Sequence, residues 1–219
     1  VLVDLEHGAG NDAVMYNQLQ ALAQTVATAI VRTDELSRPK VQRILDAGAM
    51  GIMFPQIQNP AEAALAISMM YYPPKGIRGM AKMVRATGFG RNVTDYIANL
   101  EKNLVGVIQI ETVTALKQIE SIASLIDVDV IFVGPTDLSL ALGILAQFDH
   151  PVYQQAIKNV TQAAKKYGKT TGVLLQDINE YEMYYQLGYR FLACGADSAF
   201  VARSADEMVK RMKEKRNQI

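Results

Sequence analysis

The chain has 219 residues, half of them apolar, and Lys+Arg and Asp+Glu balance at 22 each. One domain with a sizeable core fits that length and composition, and a zero net charge gives no global field to draw the chain to nucleic acid or an anionic membrane. No apolar run approaches the roughly 20 residues of a membrane-crossing helix, and the single cysteine, Cys194, excludes an internal disulfide and a thiolate zinc cluster. The expectation is a cytoplasmic protein without a secretory leader.

In chain order, short apolar runs alternate with helix-like segments. Val1 opens the sequence inside the first strand-like run, residues 1–5. Residues 11–26 carry Met15, Leu19, Leu22 and Val26 at helical spacing. A second strand is expected over 27–31, a helix over 40–47 closed by Gly48, and a third strand over 51–54. Asn59, Pro60 and Glu62 give an N-cap, a first-turn proline and an acid at the third position. The connection 71–103 is longer than an ordinary loop and holds a short helix near 94–101; a lid, an oligomer contact and a surface excursion all fit it. Strands follow over 104–110, 128–133, 171–175 and 190–193, with an amphipathic helix over 157–167 closed by Gly168. Asp177 with Glu180, and Ser204 with Glu207, repeat the helix-start pattern. His150, beside Pro151, reads as loop.

Seven strands alternating with helices predict a parallel sheet with crossover helices, as a single domain over 1–219. A closed (β/α)8 TIM barrel needs eight strands. The expectation is therefore a barrel whose first β/α unit lies upstream of this numbering. A doubly wound open sheet is the alternative, with His7-Gly8-Ala9-Gly10 as a fragmentary phosphate loop.

Candidate chemistry gathers where these runs end. Glu111 and Asp137 each stand just past an apolar run, and an acid there is costly to desolvate without a partner. Two carboxylates completed by water suit Mg²⁺, Mn²⁺ or Co²⁺. Structural alternatives are a cap-neighbour role for Glu111 and an N-cap role for Asp137 on a helix over 138–142. Gly134-Pro135-Thr136-Asp137 is a turn whose Thr136 and Asp137 N–H groups could hold a carboxylate or phosphate. Arg32 ends the second run as a forked anion donor, or else a surface ion pair. Asp4 points away from Val3 and Leu5 and is expected to orient His7 as a general base. No lysine ends an apolar run, which tells against a Schiff-base aldolase.

Val3-Asp4-Leu5-Glu6-His7, Leu45-Asp46-Ala47-Gly48, Tyr72-Pro73-Pro74-Lys75-Gly76-Ile77-Arg78-Gly79, Gln109-Ile110-Glu111-Thr112 and Phe132-Val133-Gly134-Pro135-Thr136-Asp137-Leu138-Ser139 together resemble the HpcH/HpaI aldolase family, over essentially the whole chain. The resemblance implies a metal-dependent class II pyruvate aldolase that cleaves 4-hydroxy-2-oxo acids on a (β/α)8 barrel, in hexamers that exchange C-terminal helices; 204–214 resembles that helix. It implies a divalent metal (Mg²⁺, Mn²⁺ or Co²⁺) on Glu111 and Asp137, His7 as base with Asp4 its companion, and Arg32 at the enolate oxygen. Gln109, Gly134, Pro135, Thr136 and Leu174 would line the substrate, and Asp46 matches a position that reaches the neighbouring subunit's site. Arg32 is followed by Thr33-Asp34 where relatives often carry proline. Two rival readings remain: a citryl- or malyl-CoA lyase-like enzyme, with Arg78, Lys82, Arg85 and Arg91 as a groove for the CoA phosphates, and a non-catalytic barrel module.

Overall fold

Among the described residues, seven short strands pair in parallel in the order in which they occur in the chain, with helices returning between them. The computed structural model describes residues 1–218. Strand β1 (Leu2–Asp4) leads to helix α1 (Asp12–Leu22), β2 (Ile30–Arg32) to α2 (Arg38–Asp46), and β3 (Gly51–Phe54) to α3 (Pro60–Ser68). An excursion and α4 (Val93–Asn103) precede β4 (Val105–Ile110), which leads to α5 (Val113–Lys117) and α6 (Ile119–Ala123). Next come β5 (Val130–Val133), α7 (Pro135–Ala141), α8 (Pro151–Lys166), β6 (Thr170–Leu175), α9 (Tyr181–Leu187), β7 (Phe191–Cys194) and α10 (Asp197–Arg216). Strictly sequential pairing removes the doubly wound alternative, whose strand order reverses at a switch point. Among the described residues β1 and β7 are the two edges of the sheet and do not pair with each other.

Strands buried on both faces read as near-continuous apolar runs, which is why the sequence located all seven. Alternation then assigns faces. Val31, Ile52, Ile108, Ile131 and Val173 pack under the helices in the main core. Ile30, Met53, Val107, Val130 and Phe132 form a second, smaller cluster on the other, inner face. The register puts Asp4 opposite Arg32, Arg32 opposite Met53, and Gln109 opposite Phe132, so the polar side chains near the C-terminal strand ends share that inner face.

Helix ends correct several expectations. Helix α1 stops at Leu22 rather than Val26, because Gln24 and Thr25 turn their N–H groups back to Ala21 and Leu22, and Val26 is fully exposed. His150 lies in the connection before α8, as expected, and also caps it: its Nδ1 accepts the Val152 N–H at 3.2 Å. Ser204 and Glu207 lie inside α10, which starts at Asp197. Asp137 stands in the first turn of α7 behind the Gly134 cap, so it is no N-cap. The Asn59 signal holds, since its Oδ1 accepts the Glu62 N–H at 2.9 Å while its amide donates to Glu62.

The excursion between α3 and α4 is an ordered plug at the N-terminal end of the sheet, away from Glu111 and Asp137. Ile77 and Arg78 donate backbone hydrogen bonds to Ser68 and Tyr71 at 2.8 and 2.9 Å. Gly76 is required there: a Cβ would come within 2.2 Å of the Ser68 carbonyl oxygen. The Arg78 side chain is fully buried, pairs with Asp46 at 2.7 Å and stacks over Tyr72. A lid over the strand C-termini of its own chain is therefore not what this segment forms. Arg78→Ala leaves the Asp46 carboxylate without its partner and should lower the unfolding free energy by about 3–5 kcal/mol in urea titration. A loss below about 1 kcal/mol, the range of an exposed pair, would show that the plug is anchored elsewhere.

Candidate active site

Glu111 follows the last residue of β4 and is only 2% exposed. Its Oε1 accepts the backbone N–H of Gln56 at 2.6 Å, and its Oε2 accepts the side-chain amide of Gln109. Gly134 opens the room for this arrangement, because a Cβ there would lie 2.7 Å from both Glu111 Oε2 and Gln109 Nε2. Burial pushes the Glu111 carboxyl above the usual range; the Gln56 hydrogen bond opposes this, and the charges of Glu6 and Asp137 reinforce it. Glu6 and Asp137 are thus within electrostatic reach of the same point.

Arg32, at the end of β2, is gripped by two acids. Its Nε and one Nη meet the Asp4 carboxylate at 2.8 and 2.6 Å, and its other Nη stands 2.8 Å from Glu6. This forked pairing fixes the guanidinium plane. Burial raises the Asp4 carboxyl, but the hydrogen bonds and charge of Arg32, with the Glu6 and His7 amides, outweigh it and hold the group below its ordinary range. Thr33 continues the strand ladder through its N–H to Met53 at 3.1 Å, a bond that proline at this position could not make.

His7 lies in the turn after β1 with its side chain 68% exposed. The expectation that the Asp4 carboxylate orients this imidazole is corrected. Asp4 reaches only the His7 backbone N–H, at 3.4 Å, because its carboxylate is spent on Arg32. The acid nearest the ring is Glu6, 3.8 Å from Nε2. Burial, with Asp4 and Asp137 nearby, pushes the Glu6 carboxyl up against the opposing pull of Arg32 and His7. Glu6 is the residue whose role the sequence left unassigned; its position after β1, beside His7, was the available signal.

The donor set fits a hard divalent cation. Glu111 and Asp137 could offer carboxylate oxygens to it, and the buried Gln109 Oε1 has no hydrogen-bond partner. Among the described residues no three His, Cys, Asp or Glu side chains converge as a ready-made cage. Thr136 and Asp137 occupy the first turn of α7, where backbone N–H groups have no intrahelical acceptor. Leu174 is an exposed residue of β6 paired with Ala193, on the inner face.

Asp46 does not join this group within the chain. It ends α2 just before β3 begins and is held by Arg78 at the opposite end of the sheet. The basic residues expected to form a groove for CoA phosphates lie there too, Lys82 exposed and the other three engaged within the chain. Arg78 is buried, Arg85 donates to the Ala47 and Leu19 carbonyls, and Arg91 donates to Gly88. A cavity of about 310 Å³ lined by Gly48, Arg85, Tyr96 and Leu104 opens at that N-terminal end, remote from the carboxylates.

Residues 1–204 match the family model described as HpcH/HpaI aldolase/citrate lyase. A 4-hydroxy-2-oxo-heptane-1,7-dioate aldolase from Klebsiella pneumoniae is 34% identical over 211 residues, covering 96% of this chain and 80% of the relative. A pyruvate aldolase from Rhizobium etli is 36% identical, covering 96% and 83%. The crystal structure of an HpcH/HpaI aldolase/citrate lyase family protein from Burkholderia cenocepacia superposes with a TM-score of 0.91 at 32% identity, covering 97% of this chain and 84% of that one.

The raised Glu111 carboxyl has a stability consequence in metal-free protein. A folded-state pKa above the unfolded value means that protonation favours the fold, so stability should rise as pH falls from 7 towards the ordinary glutamate value of 4.5. Glu111→Gln removes the buried charge, and Gln109 can turn its unpartnered oxygen to the new amide. Its urea midpoint at pH 7 should exceed that of wild type, with the gap closing by pH 4. A variant less stable than wild type at pH 7 would contradict this.

Proposed function

The chain belongs to the HpcH/HpaI aldolase/citrate lyase family, and from that premise we propose that it is a divalent-metal-dependent pyruvate aldolase. The reaction is reversible cleavage of a 4-hydroxy-2-oxo acid to pyruvate and an aldehyde. The observation that carries the proposal is Arg32, locked by Asp4 and Glu6 on the inner face and within the field of the buried Glu111. Glu111 and Asp137 would hold the cation, Mg²⁺, Mn²⁺ or Co²⁺. When bound, it supplies a Lewis acid for the carboxylate and keto oxygens of the 2-oxo acid.

The chain's own groups do the rest. The N–H groups of Thr136 and Asp137, with Gly134 and Pro135 shaping the turn, receive the substrate carboxylate. Gln109 flanks the keto oxygen, and Leu174 lines the space for the carbon chain. His7, steadied by Glu6, takes the proton from the 4-hydroxyl as the C3–C4 bond breaks. The electron pair left on C3 delocalises onto the former keto oxygen as pyruvate enolate, and the fixed Arg32 guanidinium faces that growing charge. Asp4 acts by holding Arg32 in place, and Asp46 would reach a neighbouring subunit's site.

Closure of the sheet by an eighth strand is part of the proposal. Inner-face residues of the central strands are buried, whereas Leu2 and Leu174 beside the two edges are each 39% exposed. No residue of α10 is buried, and Phe200, Val201, Met208, Val209 and Met212 lie open along it. That supports a homo-oligomer, a hexamer on the family pattern, in which α10 packs on a second copy. Among the described residues no helix is long and apolar enough to cross a membrane, and a cytoplasmic setting suits the free thiol of Cys194.

Pyruvate release from 4-hydroxy-2-oxoheptanedioate or 4-hydroxy-2-oxopentanoate should vanish in EDTA and return with Mn²⁺ or Mg²⁺. Arg32→Ala should lower kcat about 10²–10³-fold. Oxalate, a planar enolate mimic, should still bind His7→Ala with metal present but not Asp137→Ala; equal binding to both would refute the ligand assignment. Met208→Asp combined with Met212→Asp should reduce the assembly to smaller species in light scattering, and an unchanged mass would remove α10 from the contact.

A further inference from the structure

The turn after β3 holds the backbone in a left-handed conformation directly beside the buried carboxylate. Gln56 has φ of +56°, a region that side-chain-bearing residues occupy rarely and that persists only where surrounding contacts enforce it. Two other described non-glycine residues share a positive φ, Phe89 and Ala146, and their N–H groups close turns onto Val84 O and Ser139 Oγ. The Gln56 N–H instead reaches Glu111 Oε1 across 55 positions of sequence, at 2.6 Å.

Gln58 enforces the conformation. Its N–H donates to Glu62 at 2.8 Å, and its carbonyl accepts the Gln118 amide at 3.2 Å. Its side-chain oxygen accepts the Thr112 hydroxyl at 2.9 Å, and its amide donates back to the Gln56 carbonyl at 3.2 Å. Ile57, between the two glutamines, is buried. The turn after β3 is therefore strapped to Thr112 and Gln118, on the same connection that follows Glu111. The Gln56 side chain itself is exposed, so only its backbone serves the carboxylate.

We infer that Gln56 is a positioning residue: its inward-turned backbone N–H, held by the Gln58 strap, sets the orientation in which Glu111 meets a divalent cation. The inference rests on the reading of Glu111 as a metal ligand. With Gln56 on one oxygen and Gln109 on the other, the carboxylate cannot rotate, yet each oxygen keeps a lone pair free for a cation. Hydrogen-bond partners that orient ligands in this way commonly carry a 10- to 100-fold share of metal affinity.

Two substitutions remove the same side chain while making opposite demands on the backbone. Gln56→Gly keeps the N–H and accepts a positive φ freely; Gln56→Val keeps the N–H but disfavours that φ strongly. Metal-free full-length protein would be titrated with Mn²⁺, with free ion read by electron paramagnetic resonance and folding checked by circular dichroism. Gln56→Val should weaken Mn²⁺ binding about 10- to 100-fold, while Gln56→Gly stays within a few-fold of wild type. Gln58→Ala should weaken it in the same direction, and adding Gln56→Gly should restore most of the loss; this pair carries the test if Gln56→Val does not fold. Wild-type affinity in Gln56→Val and Gln58→Ala, or equal losses in the valine and glycine variants, would overturn the inference. A wild-type protein that binds no Mn²⁺ would instead overturn the ligand reading beneath it.

Discussion

A carboxylate buried at the end of a central parallel strand is the constraint around which this molecule is organised. Glu111 has almost no contact with water and lies in the field of two further acids, Glu6 and Asp137. Hydrogen-bond donors offset part of the cost of such a charge. Gln109 reaches it from the same strand, two residues earlier; Gln56 reaches it from the neighbouring strand's turn; and Gly134, on the other side, stays small enough to let both approach. Three consecutive strand ends are thereby committed to one side chain.

The two ends of the sheet carry different burdens. At the N-terminal end the buried Arg78 donates to Asp46 and Tyr96 and lies over the face of Tyr72, with its Nε and the Tyr72 hydroxyl left unpartnered, and Gly76 lets the excursion lie flat on the end of α3. That end reads as stability. At the C-terminal end the polar groups are satisfied only in part: Gln109 Oε1 has no partner and the His7 ring stands open. In parallel α/β folds ligands bind at strand C-termini, and the groups left free at that end, an amide oxygen and an imidazole, can serve a ligand there.

Which strands exist, and which of their residues share a face, was legible because doubly buried strands are apolar along their whole length and side chains alternate. Asp4 shows where legibility stops. Alternation placed it on the inner face, but its partner depends on the register between β1 and β2, which puts it opposite Arg32 rather than beside the His7 ring. Gln56 was invisible for a different reason: a left-handed turn is expected at glycine or asparagine, and a glutamine carries no mark of it. The start of α10 was misplaced because none of its residues is buried, so no core-facing stripe marks its first turn. Asp46 and the basic residues of the excursion were read by motif alone, and motif does not say to which end of the sheet a segment returns.

The charge balance of the site divides its acids into two pairs. Asp4 and Glu6 grip the Arg32 guanidinium, and Glu111 and Asp137 lie in the same field, so four carboxylates against one guanidinium leave an excess of three negative charges when all are ionised. Asp4 is stabilised as an anion by Arg32, whereas Glu6 and Glu111 are both pushed towards protonation. On the proposed reading a divalent cation would offset that excess. A 2-oxo acid is itself an anion and would be repelled by the uncompensated cluster. On the proposed reading, Arg32 keeps its direction when the site fills, because the two acids that grip it are distinct from the two that would hold the metal.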